Sequence, residues 1–132
     1  MRRQKTTSEP DYQLRISPHF DERRQKYTTF FVLETTASFA SFRYDLSVQV
    51  IPMGRILRFK VLGLSTPKLT LPGAGHARFS AELEGLSGTC TLVVEGLDGV
   101  EHRASIKVSP GRVELRNHKG TTGVIFIADK TQ

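Results

Sequence analysis

The side chains that could carry chemistry are few and lie far apart along the chain. The four histidines are His19, His76, His102 and His118, and none lies close enough in sequence to another, or to the single cysteine Cys90, to form a zinc or haem motif. A site assembled from distant residues stays open, with His102 as the candidate because its strand position faces inward. The sequence predicts no metal, no cofactor and no enzymatic activity.

Cys90 and the acidic residues favour structural roles. A thiol at an inward strand position behaves as a small apolar group without an activated thiolate, and a single cysteine excludes an internal disulfide. Glu82 and Glu84 alternate with Leu83, which is typical of a solvated strand face rather than of an acid and base pair. No nucleophile elbow, HExxH or phosphate-binding glycine loop occurs.

Three basic residues are the candidate site for anions or a partner: Arg43, Arg58 and Lys60. The chain has 19 basic and 13 acidic residues and a formal net charge of +6, which attracts nucleic acid and other polyanions. Strand alternation places the three cations on one exposed face, as in several nucleic-acid modules. The nearby aromatic residues point to the core instead, so base stacking is absent and nucleic-acid binding is the weaker expectation.

These residues must be positioned by β-strands. The chain of 132 residues suits one domain, and its periodic stretches are rich in β-forming residues with glycine and proline between them. Residues 1–10 predict a disordered basic tail and residues 11–132 a single β-sandwich domain. The first strand is predicted to stop at Pro18, and the charged segment 19–26 could hold one short helical turn.

Residues 42–50 alternate apolar and polar side chains over nine positions, which only a half-buried strand explains. Pairing Ile51 with Ile56 forms a hairpin in which apolar residues meet on one face. The same register puts Arg58 and Lys60 on the wet face.

A long connection with two prolines and two glycines, residues 66–76, then leads to a predicted three-strand meander over residues 79–108. The second turn, with Gly99 at a left-handed position, places Glu95 opposite Glu101. This like-charge pair needs a neighbour to offset it, and Arg78 in the preceding hairpin is the expected one.

About nine strands with regular turns predict an all-β, antiparallel β-sandwich, while a β-barrel stays the alternative. Residues 88–108, GTCTLVVEGLDGVEHRASIKV, resemble the closing hairpin of immunoglobulin-like sandwiches. The chain lacks the paired cysteines and core tryptophan of antibody domains. The resemblance therefore implies an immunoglobulin-like architecture but no particular family.

A non-catalytic binding or protein-interaction module is the favoured function. The alternatives are a carrier of a small apolar ligand inside a barrel and a weak polyanion binder through the tail and sheet face. The final strand, residues 124–128, is apolar on both faces, which predicts either a central strand or an edge used for self-association or partner capture. No signal peptide or membrane span is evident, so a cytoplasmic location is expected.

Overall fold

A computed structural model describes residues 12–39, 45–65, 75–117 and 124–129, and these residues form nine β-strands and no helix. The all-β prediction with about nine strands is confirmed. Because no described residue is helical, none of them belongs to a helix long and apolar enough to cross a membrane. The strands are β1 (Tyr12–Asp21), β2 (Lys26–Phe39), β3 (Asp45–Met53), β4 (Ile56–Ser65), β5 (Gly75–Leu83), β6 (Gly88–Glu95), β7 (Glu101–Ser109), β8 (Arg112–Asn117) and β9 (Val124–Ala128).

The nine strands form one mixed sheet in the order β8-β7-β6-β4-β3-β5-β2-β1-β9. Three neighbouring pairs are parallel (β1 with β9, β3 with β5, β4 with β6) and the others are antiparallel. The sheet curls until β8 approaches β9, although no backbone pairing joins these two strands in the described residues. The protein is therefore a nearly closed barrel, and the predicted two-sheet, immunoglobulin-like arrangement is not confirmed.

The predicted β3–β4 hairpin is confirmed, with its register shifted. Ile51 lies opposite Arg58 rather than Ile56, because the loop contains only the two residues Gly54 and Arg55. Gly54 has a φ of +63°, the left-handed conformation that two-residue hairpin loops require at their first position. A shift of two residues keeps every side chain on its face, so Phe59 is still buried and Lys60 exposed.

The predicted hairpin between β5 and β6 is wrong. β5 pairs with β2, where Phe79 lies opposite Leu33 and Ala81 opposite Phe31, whereas β6 pairs in parallel with β4. The inward positions were correct, since Phe79 packs against the core. Alternation along a strand fixes which side chains face inward, but several strands offer an equally apolar partner.

β1 does not stop at Pro18, and residues 19–26 contain no helical turn. The strand continues to Asp21, and residues 22–25 form a turn closed by backbone N–H groups that donate to the Asp21 carboxylate. Ile16 accepts a hydrogen bond from the Asp129 N–H on the side of β1 that faces β9. The ring nitrogen of Pro18, two residues further, points to that same side, where β1 pairs with no other strand among the described residues. A proline without an N–H is tolerated there.

The core lies inside the curled sheet, and each of the nine described strands contributes at least one buried or half-buried side chain to it. The rings of Phe31 on β2 and Phe59 on β4 approach to 5.2 Å between centroids, although two strands separate β2 and β4 in the sheet order. Such a contact requires the sheet to curl. The fully buried side chains of largest volume are Phe31, Phe59, Leu14, Ile16, Leu33, Leu92, Ile106, Val93, Val94 and Val113.

Candidate binding site at the turn end of the barrel

One end of the barrel, here called the turn end, carries four described turns: residues 22–25, 54–55, 84–87 and 110–111. These turns fall together because β1, β3, β5 and β7 all run towards this end. A cavity of about 430 Å³ opens at the turn end. The residues that line this turn-end cavity are Pro18, Lys26, Tyr27, Thr28, Thr29, Leu83, Glu84, Gly85, Leu86, Ser87, Val108, Ser109, Pro110 and Val113.

Apolar side chains form much of the wall of the turn-end cavity, because four strands contribute inward positions to it, and the hydroxyl residues Thr28, Thr29, Ser87 and Ser109 line it as well. Pro18 on β1, Leu83 on β5, Val108 on β7 and Val113 on β8 each occupy the alternation that faces the core. Leu86, from the loop between β5 and β6, adds a half-buried side chain. The cavity therefore continues the hydrophobic interior to the surface.

Among the described residues, β9 covers only part of β1. β9 pairs only with the first half of β1, from Tyr12 to Ile16, and its last described hydrogen bond joins the Asp129 N–H to the Ile16 carbonyl at 2.8 Å. The second half of β1 has no strand on that side among the described residues. Pro18 cannot donate a hydrogen bond there, which disfavours pairing with an added strand. In the part of the chain that the structure describes, no strand lies between the second half of β1 and the start of β8.

Aromatic residues stand at the mouth of the cavity. Tyr27 lines the cavity and is 45% exposed, and its ring packs edge-on against Phe20 with 4.9 Å between centroids. On its other side, the Tyr27 ring lies so close to Gly111 that a Cβ there would be 3.2 Å from it. Gly111 also has a φ of +71°, which glycine adopts without strain. The turn between β7 and β8 is thus shaped around the Tyr27 ring.

The charged residues at the mouth neutralise one another. The Lys26 ammonium donates to Glu84 at 2.9 Å, and the Arg24 guanidinium also contacts Glu84. Arg24 lies 3.6 Å from Asp21 as well, so the cluster has two cations and two anions. The hydrogen bond from Lys26 is the main cause that holds the pKa of Glu84 below its usual range. Glu84 is therefore ionised at neutral pH.

At the opposite end of the barrel, Tyr12 at an inward position of β1 contacts the turn between β6 and β7. The half-buried Tyr12 ring lies against Gly96, where an added Cβ would be 3.4 Å from Tyr12 Cε2. Burial raises the pKa of the Tyr12 hydroxyl, and a hydrogen bond with the Leu97 backbone partly opposes that effect. Tyr12 thus links β1 to the turn between β6 and β7.

Arg58 is one of the predicted anion-binding residues, and its guanidinium binds two carboxylates of the same chain. Arg58 Nη1 donates to Glu95 at 2.8 Å and to Glu101 at 2.7 Å. Lys60 is exposed on the same face, next to Arg58 in the strand. Arg43 lies outside the described residues. The three candidates therefore do not form a described cluster, and their binding role stays a prediction.

Glu95 and Glu101 do lie directly opposite each other, as predicted, but Arg58 rather than Arg78 offsets their repulsion. Arg78 pairs with Glu34 at 3.0 Å, because β5 is next to β2 and not next to β6. The hydrogen bonds of Arg58 are the main cause that lowers the pKa of Glu101.

Arg58 also has a packing role on the outer face. Val93 faces outward by alternation, yet it is fully buried, and it lies opposite Arg58 on β4 and Arg103 on β7. The aliphatic stems of these arginines are positioned to cover Val93 while their charged ends bind Glu101. This arrangement explains a buried valine outside the barrel interior.

The cysteine and the histidines were the remaining candidates for chemistry. Cys90 is 6% exposed, and burial raises the pKa of its thiol, as expected of a core cysteine. His102 is half-buried opposite Val94, and His118 lies outside the described residues. Among the described residues, no three His, Cys, Asp or Glu side chains are grouped so that they could hold a metal ion.

Sequence reasoning did not identify the turn-end cavity. Its walls come from four strands whose neighbours were only partly predicted, and no local motif marks them. The inward alternation of Val108 and the Pro110-Gly111 turn were the available signals. Comparisons of the chain with models of known protein families, with curated proteins and with solved structures found no match.

Proposed function

We propose that this chain is a non-catalytic binding module that takes an apolar group into the turn-end cavity. The observation that carries this proposal is the cavity itself, whose volume of about 430 Å³ falls within the range of small-molecule sites. The cavity opens to solvent and is large enough to hold several water molecules. Replacing that water by an apolar group buries apolar surface on both sides.

The lining supports binding rather than chemistry. Leu83, Leu86 and Val108 offer no reactive atoms, and the Thr28 hydroxyl donates to the Glu82 carboxylate at 2.6 Å. The charged groups lie at the rim, where solvent reaches them. This combination of apolar walls and a few polar groups at the entrance is the usual composition of a ligand pocket.

A fluorescent probe tests the proposal directly. N-phenylnaphthylamine is uncharged and gains fluorescence in apolar surroundings, so we expect a saturable increase when it is titrated into the full chain. Val108→Phe places a phenyl ring in the cavity and should abolish the increase in fluorescence. The matched control is Val100→Phe, since Val100 is 49% exposed at the opposite end of the barrel.

The outcome is decided by comparing these variants. A folded Val108→Phe variant that binds the probe as the parent does would contradict the proposal. If Val108→Phe fails to fold, Leu86→Trp fills the cavity from the half-buried loop instead. Circular dichroism establishes that each variant keeps its β-sheet.

Self-association through β9 is a second candidate. In the sheet that the described residues form, β9 is the last strand and pairs with β1 alone, which favours the edge interpretation of residues 124–128 over the central-strand interpretation. Ile125 is 41% exposed on its outer face. Light scattering during size-exclusion chromatography should then show a dimer that Ile125→Lys converts to a monomer. A strictly monomeric parent at high concentration would eliminate this candidate.

The finer predictions from the sequence are compatible with either role. An immunoglobulin-like sandwich and a cytoplasmic location stay predictions, and both would suit a binding module. Polyanion binding is the weaker candidate function, because Arg58 already contacts two carboxylates.

A further inference from the structure

We infer that the turn-end cavity selects an uncharged, mainly apolar small molecule, an inference that rests on the proposed function. Recognition of a charged ligand requires a charge in the site that is free to meet it. The described residues around the cavity offer none that is unpaired: Lys26 and Glu84 are the only charged residues in the lining, and they bind each other at 2.9 Å.

The second cation near the mouth is also satisfied. Arg24 contacts Glu84 and lies 3.6 Å from Asp21, so carboxylates and cations are equal in number within the group Asp21, Arg24, Lys26 and Glu84. Arg55, a further cation of the turn end, does not line the cavity, and its guanidinium donates to the Ser87 and Thr89 carbonyls. An anionic ligand would have to displace Glu84 from two partners, and a cationic ligand would have to displace Lys26 and Arg24 from Glu84. Either exchange replaces an existing ion pair and gains little.

The interior gives a charged group no support. Pro18, Leu83 and Val113 present only carbon atoms to the cavity, and burying an unpaired charge among such groups is costly. The polar Thr28 hydroxyl is already used by Glu82. The other hydroxyl residues of the lining, Thr29, Ser87 and Ser109, are uncharged. Binding must therefore come from apolar contact and neutral hydrogen bonds, with affinity that depends little on salt.

Two probes of similar shape test this selectivity. N-phenylnaphthylamine is uncharged, and anilinonaphthalene sulfonate has the same aromatic framework with a permanent negative charge. We expect the parent chain to bind the uncharged probe at least about tenfold more tightly, since the sulfonate finds no free cation. Raising the salt concentration should leave the uncharged probe's affinity unchanged.

A single substitution should relax the selectivity. Glu84→Gln frees Lys26 and leaves Arg24 with Asp21 alone, so affinity for the sulfonate probe should rise by about two- to fivefold, the range that an exposed ion pair spans. Affinity for the uncharged probe should stay the same. The matched control is Glu101→Gln, which also removes a carboxylate bound to two basic side chains, here Arg58 and Arg103, but lies on the outer face at the opposite end.

Each outcome separates the two proposals. Equal binding of both probes to the parent, or a sulfonate affinity that Glu84→Gln does not change, would overturn the selectivity while leaving the cavity as a binding site. Binding of neither probe would overturn the proposed function and the selectivity together. Tighter sulfonate binding by Glu84→Gln and not by Glu101→Gln supports the inference.

Discussion

The contact between Phe31 and Phe59 provides the sharpest test of the curled sheet, on which the cavity depends. Both side chains are fully buried, and their rings are tilted at 47° with centroids 5.2 Å apart. In a flat sheet of the same strand order, β3 and β5 would separate them. Substituting each residue by leucine, singly and together, measures whether the two rings stabilise each other.

The expected free energies follow from the size and burial of the rings. Leucine keeps most of the apolar volume, so each single substitution should lower the free energy of unfolding by about 1–2 kcal/mol. An aromatic pair at this separation contributes about 0.5–1.5 kcal/mol beyond its buried area. The double variant should therefore lose less stability than the sum of the single variants, by about that amount.

Urea denaturation followed by circular dichroism gives the four free energies of the cycle. The control cycle combines Phe59→Leu with Phe126→Leu, because Phe126 is buried on β9 and the described rings show no aromatic contact between it and Phe59. This control measures the coupling of two core substitutions without an aromatic pair, and distant sites without shared partners add within about 0.3–0.5 kcal/mol. A Phe31–Phe59 coupling no larger than that of the control would refute the curled arrangement.

Three further predictions address the turn end, the core and the outer face. Gly111→Ala should lower the free energy of unfolding by about 1–2 kcal/mol in urea denaturation, because alanine disfavours the left-handed φ of +71° and its Cβ would meet the Tyr27 ring. Cys90 should react with a thiol reagent only after unfolding, since it is buried and its thiol pKa is raised. The Glu101 carboxylate has a lowered pKa, so its interaction with Arg58 contributes stability that is present at neutral pH and is lost as the pH falls through that pKa. Glu101→Gln should therefore lose less stability than the parent between neutral pH and acid.

Each of these predictions has a result that would contradict it. An unchanged urea midpoint for Gly111→Ala would show that the β7–β8 turn is not shaped by Tyr27. Fast labelling of Cys90 in the native protein would place the thiol at the surface. Parallel pH profiles for the parent and Glu101→Gln would mean that Glu101 has the same pKa in the folded and unfolded chain.

Several features of the fold were predictable because they depend on neighbours along the chain. Strand alternation identified the buried positions of β4, β6 and β7, including Phe59 and Cys90. The turn at Gly99 fixed the β6–β7 register and therefore the facing pair Glu95 and Glu101. Such features rest on backbone geometry over a few residues, and tertiary contacts need not be known to derive them.

The candidate site was not predictable in the same way. Sequence reasoning selected Arg58 because it is basic and faces outward, but its guanidinium binds Glu95 and Glu101 once β4 lies beside β6. The prediction that Arg78 offsets the repulsion of Glu95 and Glu101 is wrong because it requires β5 and β6, which are adjacent in sequence, to pair. Parallel pairing of β4 with β6 joins strands separated by a whole intervening strand, and no local signal encodes that choice.

The sequence by itself determined that this protein is built of about nine strands, which side chains turn inward, and that no local catalytic or metal motif is present. Only the tertiary structure decided which strands are neighbours, that the sheet curls into a nearly closed barrel, and that the described part of β9 pairs with the first half of β1 only. The physical reason is that alternation is a property of one strand, whereas pairing and closure depend on competition among many equally apolar edges.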